Sequence, residues 1–250
     1  MKKALILAAG IGKRLGDLTK DIPKCLLPLD SNGSTLIDYS LETLMENNIK
    51  EITVVSGFAD KKLREYLTDK WKNKVNLNFI FNEKFSEYNN IYSAYLAKDI
   101  WDDETVLLNS DIVFHSDILK NLVEAYHGKS LLVIDNSEEL VDEDMKVETN
   151  ANGEIKKISK NLNNKTSFGE YIGITYLKGK ERVKFLESLE LNVKNKKLNI
   201  YYEDALADVL NEVSIYPSST LGKPWTEVDI KEDYELAKKI AKQLKKVTVL

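Results

Sequence analysis

Cysteine is almost missing from this 250-residue chain: Cys25 stands alone, which excludes an internal disulfide and a metal centre built on paired thiolates. Histidine is nearly as scarce. His115 and His127 fall in or beside a segment that reads as a surface helix, so both are expected to be structural or solvated. Long apolar runs are lacking too, and none approaches the ~20 residues of a membrane-crossing helix. Met1-Lys2-Lys3 followed by apolar residues imitates a secretory leader, but the run breaks at residues 10–14 and no cleavage region follows. The expectation is a cytoplasmic protein without membrane insertion. An excess of positive charge is absent as well: 36 Lys and Arg are scattered among 40 Asp and Glu, for a net charge of −4. Nucleic-acid binders usually carry a basic stripe, so no nucleic-acid partner is expected. No Pro/Gly/Ser linker and no internal repeat divide the chain.

What is present is strand–helix alternation. Residues 4–8 form a short continuous apolar run, as in a strand covered on both faces. A helix is expected over 35–45, capped by Ser34 or Thr35, with Leu36, Ile37, Leu41 and Leu44 on one face. Strands at 51–56, 75–81, 105–109 and 130–134 alternate with helices at 60–67, from Asn89 or Asn90 to 98, and at 116–126. The pattern implies an α/β fold: a Rossmann-like, mixed but mostly parallel sheet with helices on both faces. From about residue 141 the rhythm changes to short strands at 145–148, 154–159 and 170–177, with Asn152-Gly153 as a hairpin turn. Helices follow at 181–189, 203–210 and 231–246, the last with acids in its first turn and lysines in its last. We therefore expect one domain over 1–250, with about 141–225 forming a small β-rich lid or insertion.

Ligands of such sheets sit at the carboxyl ends of the strands. The first strand ends in Ala8-Ala9-Gly10-Ile11-Gly12-Lys13-Arg14, and Pro23-Lys24 follows. Glycine amides can face phosphate oxygens, while Arg14 and Lys24 supply positive charge. Glycines alone fit a plain turn as well as a phosphate cradle. Their spacing is also one residue late for the dinucleotide fingerprint, because the third glycine is Gly16. Asp111 closes another apolar strand, and Asp229 precedes the last helix. Each alone reads equally as a helix cap. Together two such carboxylates suit Mg²⁺, which takes its other ligands from water and substrate phosphates.

The glycine loop, Pro23-Lys24, Asp111 and Asp229 together resemble the sugar-phosphate type of nucleotidyltransferase over nearly the whole chain. Within that superfamily the chain is most similar to the small bacterial phosphocholine cytidylyltransferases. That likeness rests on Glu87-Tyr88-Asn89-Asn90-Ile91-Tyr92-Ser93, on Tyr201-Tyr202-Glu203-Asp204 and on Glu227-Val228-Asp229. The resemblance implies that Ala8, Ala9, Gly10, Gly12, Arg14 and Lys24 hold the triphosphate of CTP. Tyr88, Asn90 and Ser93 would lie by the base. Asp111 and Asp229 would bind Mg²⁺, with Lys24, Arg14 and Asp111 as the catalytic set. Lys146, Glu170, Tyr171, Tyr201, Tyr202, Glu203 and Trp225 are the candidates for the acceptor side. Residues 142–147 and 169–173 look more like generic nucleotidyltransferases, which leaves the acceptor open.

The implied reaction transfers CMP from CTP to a small phosphate- or phosphonate-bearing acceptor with release of pyrophosphate. Candidate acceptors are phosphocholine, phosphoethanolamine and 2-aminoethylphosphonate. A quaternary ammonium would favour an aromatic box, each ring worth up to about 2 kcal/mol when desolvated. Two alternatives stand at this point: a sugar-1-phosphate nucleotidyltransferase, and a non-catalytic nucleotide-binding regulator of the same fold. The sequence is compatible with a homo-oligomer and does not specify one.

Overall fold

The computed structural model describes the backbone of residues 1–247 and the side chains of residues 1–245. In chain order the first half runs β1 (Lys3–Ala8), α1 (Leu36–Glu46), β2 (Glu51–Ser56), α2 (Asp60–Trp71), β3 (Asn76–Phe81), α3 (Asn90–Leu96), β4 (Thr105–Asn109), β5 (Ile112–Phe114) and α4 (Ser116–Ala125). The second half runs β6 (Ser130–Asp135), β7 (Lys146–Thr149), β8 (Ile155–Ser159), β9 (Gly169–Tyr176), α5 (Gly179–Lys194), α6 (Tyr202–Val209), β10 (Ile215–Ser219), β11 (Trp225–Glu227) and α7 (Lys231–Val247). Short 3-10 turns occupy Lys13–Thr19, Lys24–Leu26 and Lys98–Ile100.

The main sheet has the strand order β10-β6-β9-β4-β1-β2-β3. β1 lies between β2 and β4, parallel to both, and its residues Ala4 to Ala8 are buried. That burial is why the strand shows no alternation: both faces are covered. Along this path β9 alone reverses direction, pairing antiparallel with β4 on one side and β6 on the other. The mixed, mostly parallel sheet expected from the sequence is thus present. Of the stretch 141–225 expected as a lid, β9 and β10 are built into the main sheet, and only the β7–β8 pair lies off its path.

One apolar layer packs Leu41 of α1, Leu63 of α2 and Leu119 of α4 against one sheet face. The other packs Ile91 of α3, Phe185 of α5 and Leu206 of α6 against the opposite face. A third cluster joins Leu15, Leu27, Val113 and Val228 to Ala237 of α7, fixing the glycine-loop region to the chain's last helix.

α1 begins at Thr35, whose N–H donates to Asp38 Oδ2 at 2.7 Å. Asp38 is fully buried and also accepts from Tyr66 Oη, Lys70 Nζ and Trp71 Nε1. This explains why α2 continues to Trp71, beyond the end expected at residue 67: its last turn delivers Lys70 and Trp71 to the carboxylate that Tyr66 already meets. The lysine expected in the last turn of α7 at residue 246 lies outside the described side chains.

Candidate active site

β1 stops at Ala8, and the chain turns through Gly10 and Gly12. The N–H groups of Gly10, Ile11 and Gly12 have no protein acceptor among the described residues, so they are available to a ligand. Gly12 has φ +69°, and a Cβ there would lie 3.2 Å from Lys24 Cβ and 3.3 Å from Thr19 Cγ2. Glycine at this position therefore lets the Lys24 segment lie directly against the loop. Thr19 Oγ1 straps the loop by donating to the Gly12 carbonyl at 2.8 Å.

Lys24 is only 14% exposed and bridges two distant acids: its Nζ lies 2.7 Å from Asp111 Oδ2 and 2.9 Å from Asp229 Oδ1. Arg14 Nη2 donates to the other oxygen, Asp229 Oδ2, at 2.5 Å. Burial disfavours the Lys24 ammonium, but Asp111, Asp229 and Glu227 more than reverse this and raise its pKa. Burial likewise opposes ionisation of Asp229, yet Lys24 and Arg14 hold its carboxyl below the ordinary range.

Two strands of three residues bring these acids together. β5 and β11 pair antiparallel with Glu227 opposite Ile112, and the Val228 N–H donates to the Asp111 carbonyl at 2.9 Å. Asp111 leads into β5 and Asp229 leaves β11, so the ladder sets them face to face. It also delivers Glu227, which the sequence reading did not include among the metal ligands. Carboxylate oxygens of Asp111, Glu227 and Asp229 all lie within 4.8 Å of one another. Burial, then Asp111 and Asp229, push the Glu227 carboxyl well above its usual range. Asp111 Oδ1 is buried without a hydrogen-bond partner. An unspent buried oxygen among three clustered carboxylates fits a hard divalent cation, which prefers oxygen ligands.

A cavity of about 1140 Å³ opens over these groups. Its wall includes Ala8, Ala9, Gly10, Gly12, Arg14 and Lys24 on one side, and Tyr88, Asn90 and Ser93 nearby. Ser93 is buried and accepts from Asn82 Nδ2 at 3.0 Å. Glu170, Tyr171, Tyr201, Glu203 and Trp225 line it as well. The Trp225 indole N–H donates to Asp135 Oδ2 at 2.8 Å, and Thr220 and Ser137 hydroxyls bind the other oxygen of Asp135.

Two of the residues expected on the acceptor side do not line the cavity. Lys146 is fully buried, and its Nζ donates to the carbonyls of Val141, Asp142 and Asp144 at 2.9, 3.1 and 3.2 Å. It staples the loop before β7 and has no ammonium proton free for a phosphate, so its expected role is corrected. Tyr202 is also fully buried behind the wall, with its hydroxyl 2.8 Å from Tyr171 Oη and 3.2 Å from Asn109 Oδ1. It supports the pocket without lining it.

The cavity is acidic around Glu170 and Glu203 to a degree that sequence order conceals. Glu138, Glu139, Glu143 and Asp144 join Glu170 and Glu203 around the cavity. Burial first, then Asp144, Asp135 and Glu138, push the Glu170 carboxyl up to about 8. Burial pushes Glu203 up to about 7, and its Oε2 has no hydrogen-bond partner.

Amides, cations and carboxylates gathered at the carboxyl ends of a mostly parallel sheet define a phosphate-handling α/β protein. The chain belongs to the nucleotidyl transferase family, whose description matches residues 3–165. It is 30% identical to choline-phosphate cytidylyltransferase of Haemophilus influenzae, over 92% of this chain and 94% of that one. It is 28% identical to CTP:phosphoglutamine cytidylyltransferase of Campylobacter jejuni, over 93% and 98% respectively. The solved CTP:phosphocholine cytidylyltransferase of Streptococcus pneumoniae superposes with a TM-score of 0.78 at 25% identity, covering 96% of this chain and 98% of that chain. The family resemblance drawn from the sequence is borne out.

Proposed function

We propose that the protein is a cytidylyltransferase that moves CMP from CTP to a small phosphate- or phosphonate-bearing acceptor with a cationic head, releasing pyrophosphate in the cytoplasm. The reading rests above all on the convergence of Lys24 and Arg14 with Asp111 and Asp229 beside free loop amides. The names of its relatives agree with it: they act on phosphocholine or phosphoglutamine with CTP. Among the described residues no helix is long and apolar enough to cross a membrane.

The acceptor phosphate or phosphonate is ionised at neutral pH, so its oxygen is already a nucleophile and no side chain need remove a proton. The protein's task is placement and charge neutralisation around the α-phosphorus. The amides of Gly10 to Gly12 cradle phosphate oxygens, while Arg14 and Lys24 counter the charge that grows as pyrophosphate departs. Asp111, Glu227 and Asp229 would hold a divalent cation, Mg²⁺ by the character of the donor set. When bound, such a cation supplies Lewis acidity at the phosphate oxygens. Tyr88, Asn90 and Ser93 flank the base, and Glu170, Glu203, Tyr171, Tyr201 and Trp225 face the head group. The acidic wall favours an amine head over a sugar hydroxyl array, because buried unpaired carboxylates seek a cation.

A pyrophosphate-release panel tests this. CTP, UTP, dTTP and GTP are each offered with phosphocholine, phosphoethanolamine, 2-aminoethylphosphonate and glucose 1-phosphate in the presence of Mg²⁺. CTP with an amine-bearing acceptor is expected to dominate. Preference for glucose 1-phosphate would overturn the acceptor assignment, and no turnover with any pair would overturn the enzymatic one.

A further inference from the structure

We propose that Asn90 is a positioning residue that ties the nucleotide side of the cavity to its acceptor side. Its side chain lines the cavity at the start of α3, but the Oδ1 atom accepts the Tyr202 N–H at 2.9 Å, 112 residues along the chain. A second bond reinforces the junction, from the Asn89 N–H to the Leu198 carbonyl at 2.8 Å. Tyr202 opens α6, where the first N–H groups lack intrahelical acceptors. Asn90 thus caps a helix that belongs to the other half of the site.

The consequence lies in what flanks Tyr202. Tyr201 and Glu203 face the cavity, and the Tyr202 hydroxyl meets Asn109 and Tyr171, the latter also on the wall. Asn90 therefore holds the main chain of Tyr202 while Asn109 and Tyr171 hold its ring. Three wall residues take their positions from this one buried spoke. A nucleotide that orders residues 88–93 would, through the same bond, order the acceptor wall, and by reciprocity an acceptor would tighten the nucleotide side.

Asn90→Ala tests this, since alanine suits the first turn of α3 and Asn89 still caps it. Hydrogen exchange at the Tyr202 amide, followed by NMR, should quicken about fivefold or more, as expected for the loss of one buried hydrogen bond. KM for phosphocholine should rise about five- to tenfold, well beyond any loss of CTP affinity measured calorimetrically without acceptor. Asn90→Asp keeps the oxygen but exchanges the amide that bonds Glu203 for a second carboxyl, so the two variants are compared below about pH 5, where Glu203 is protonated and Asn90→Asp should restore most of the Tyr202 protection. Unchanged exchange in Asn90→Ala would overturn the proposal, as would equal loss in both variants. A CTP affinity weakened as much as the phosphocholine KM would also overturn it, making Asn90 a base contact instead. The KM arm depends on the cytidylyltransferase reading and the exchange arm does not. A wild-type enzyme inert toward phosphocholine would therefore count against that reading alone, with the exchange result still deciding the role of Asn90.

Discussion

Replacing Lys24 by alanine isolates the cation at the centre of the site. In the free protein its ammonium lies within 3 Å of carboxylates from Asp111 and Asp229, with Glu227 beside them. Removing it leaves three clustered, largely buried acids facing Arg14, whose side chain is 57% exposed, and the more distant Lys160. Stripping one partner from a buried ion pair costs about 3–5 kcal/mol, although proton uptake by the acids would recover part of that. Thermal unfolding without metal should therefore show a clear drop for Lys24→Ala. Added Mg²⁺ should raise the variant's melting temperature more than the wild type's, because the cation then neutralises acids that Lys24 no longer serves. Turnover should fall about 10²–10³-fold at saturating Mg²⁺, the usual effect of deleting one charge-stabilising donor. Pyrophosphate release and differential scanning fluorimetry measure the two effects on one preparation. Turnover within about threefold of wild type would refute the assignment of Lys24 to transition-state charge; this limit lies well below the range expected for such a donor.

Three further outcomes follow from groups already described. Asp38→Ala should destabilise the fold by about 3–5 kcal/mol, since it strands a lysine, an indole N–H, a tyrosine hydroxyl and a helix cap. Burial opposes the Asp38 charge, but Lys70 and its other donors hold the folded pKa below the ordinary 3.8. Its stabilisation is thus complete above that value and is lost as pH falls through the folded pKa, so acid unfolding of Asp38→Asn should begin from a flatter baseline. Glu170 runs the other way: with a folded pKa near 8 against an ordinary 4.5, the native state keeps a proton that the unfolded chain releases. Stability of the ligand-free protein should fall as pH rises from 4.5 to about 8, and Glu170→Gln should flatten that slope in a melting series. Gly12→Ala must adopt φ +69° and crowd Lys24, a strain of about 1–2 kcal/mol that should appear as a lower melting temperature together with slower turnover.

Much of the sheet was legible because buried parallel strands announce themselves as short apolar runs, and β2 and β4 fall where periodicity puts them. β5, β10 and β11 were not legible. Three residues such as Ile112-Val113-Phe114 carry too little pattern to separate a strand from a loop, and the β5–β11 pairing spans more than a hundred residues. The cost of missing that ladder was Glu227, which sits in the same short motif as Asp229 yet had no visible reason to face Asp111. Lys146 failed for a different cause. Sequence reveals the ammonium but not the three carbonyls waiting for it, and a lysine that satisfies main-chain oxygens looks the same on paper as one that greets a phosphate. The acidity around Glu170 and Glu203 was hidden for the same reason, its carboxylates being contributed by segments that meet only after β7, β9 and α6 have docked.

The β5–β11 ladder also sets a timetable for the nascent chain. Most of the β1–β4 framework can take shape as soon as the first hundred or so residues emerge, because its pairings join successive strands. The glycine loop has been made by then, but the apolar cluster that fixes it awaits Val228 and Ala237, and the partner that gives Asp111 its companions leaves the ribosome only with Trp225 to Asp229. A polypeptide that stops short of Asp229 thus carries the loop and Asp111 without the two acids and the apolar contacts that complete the site.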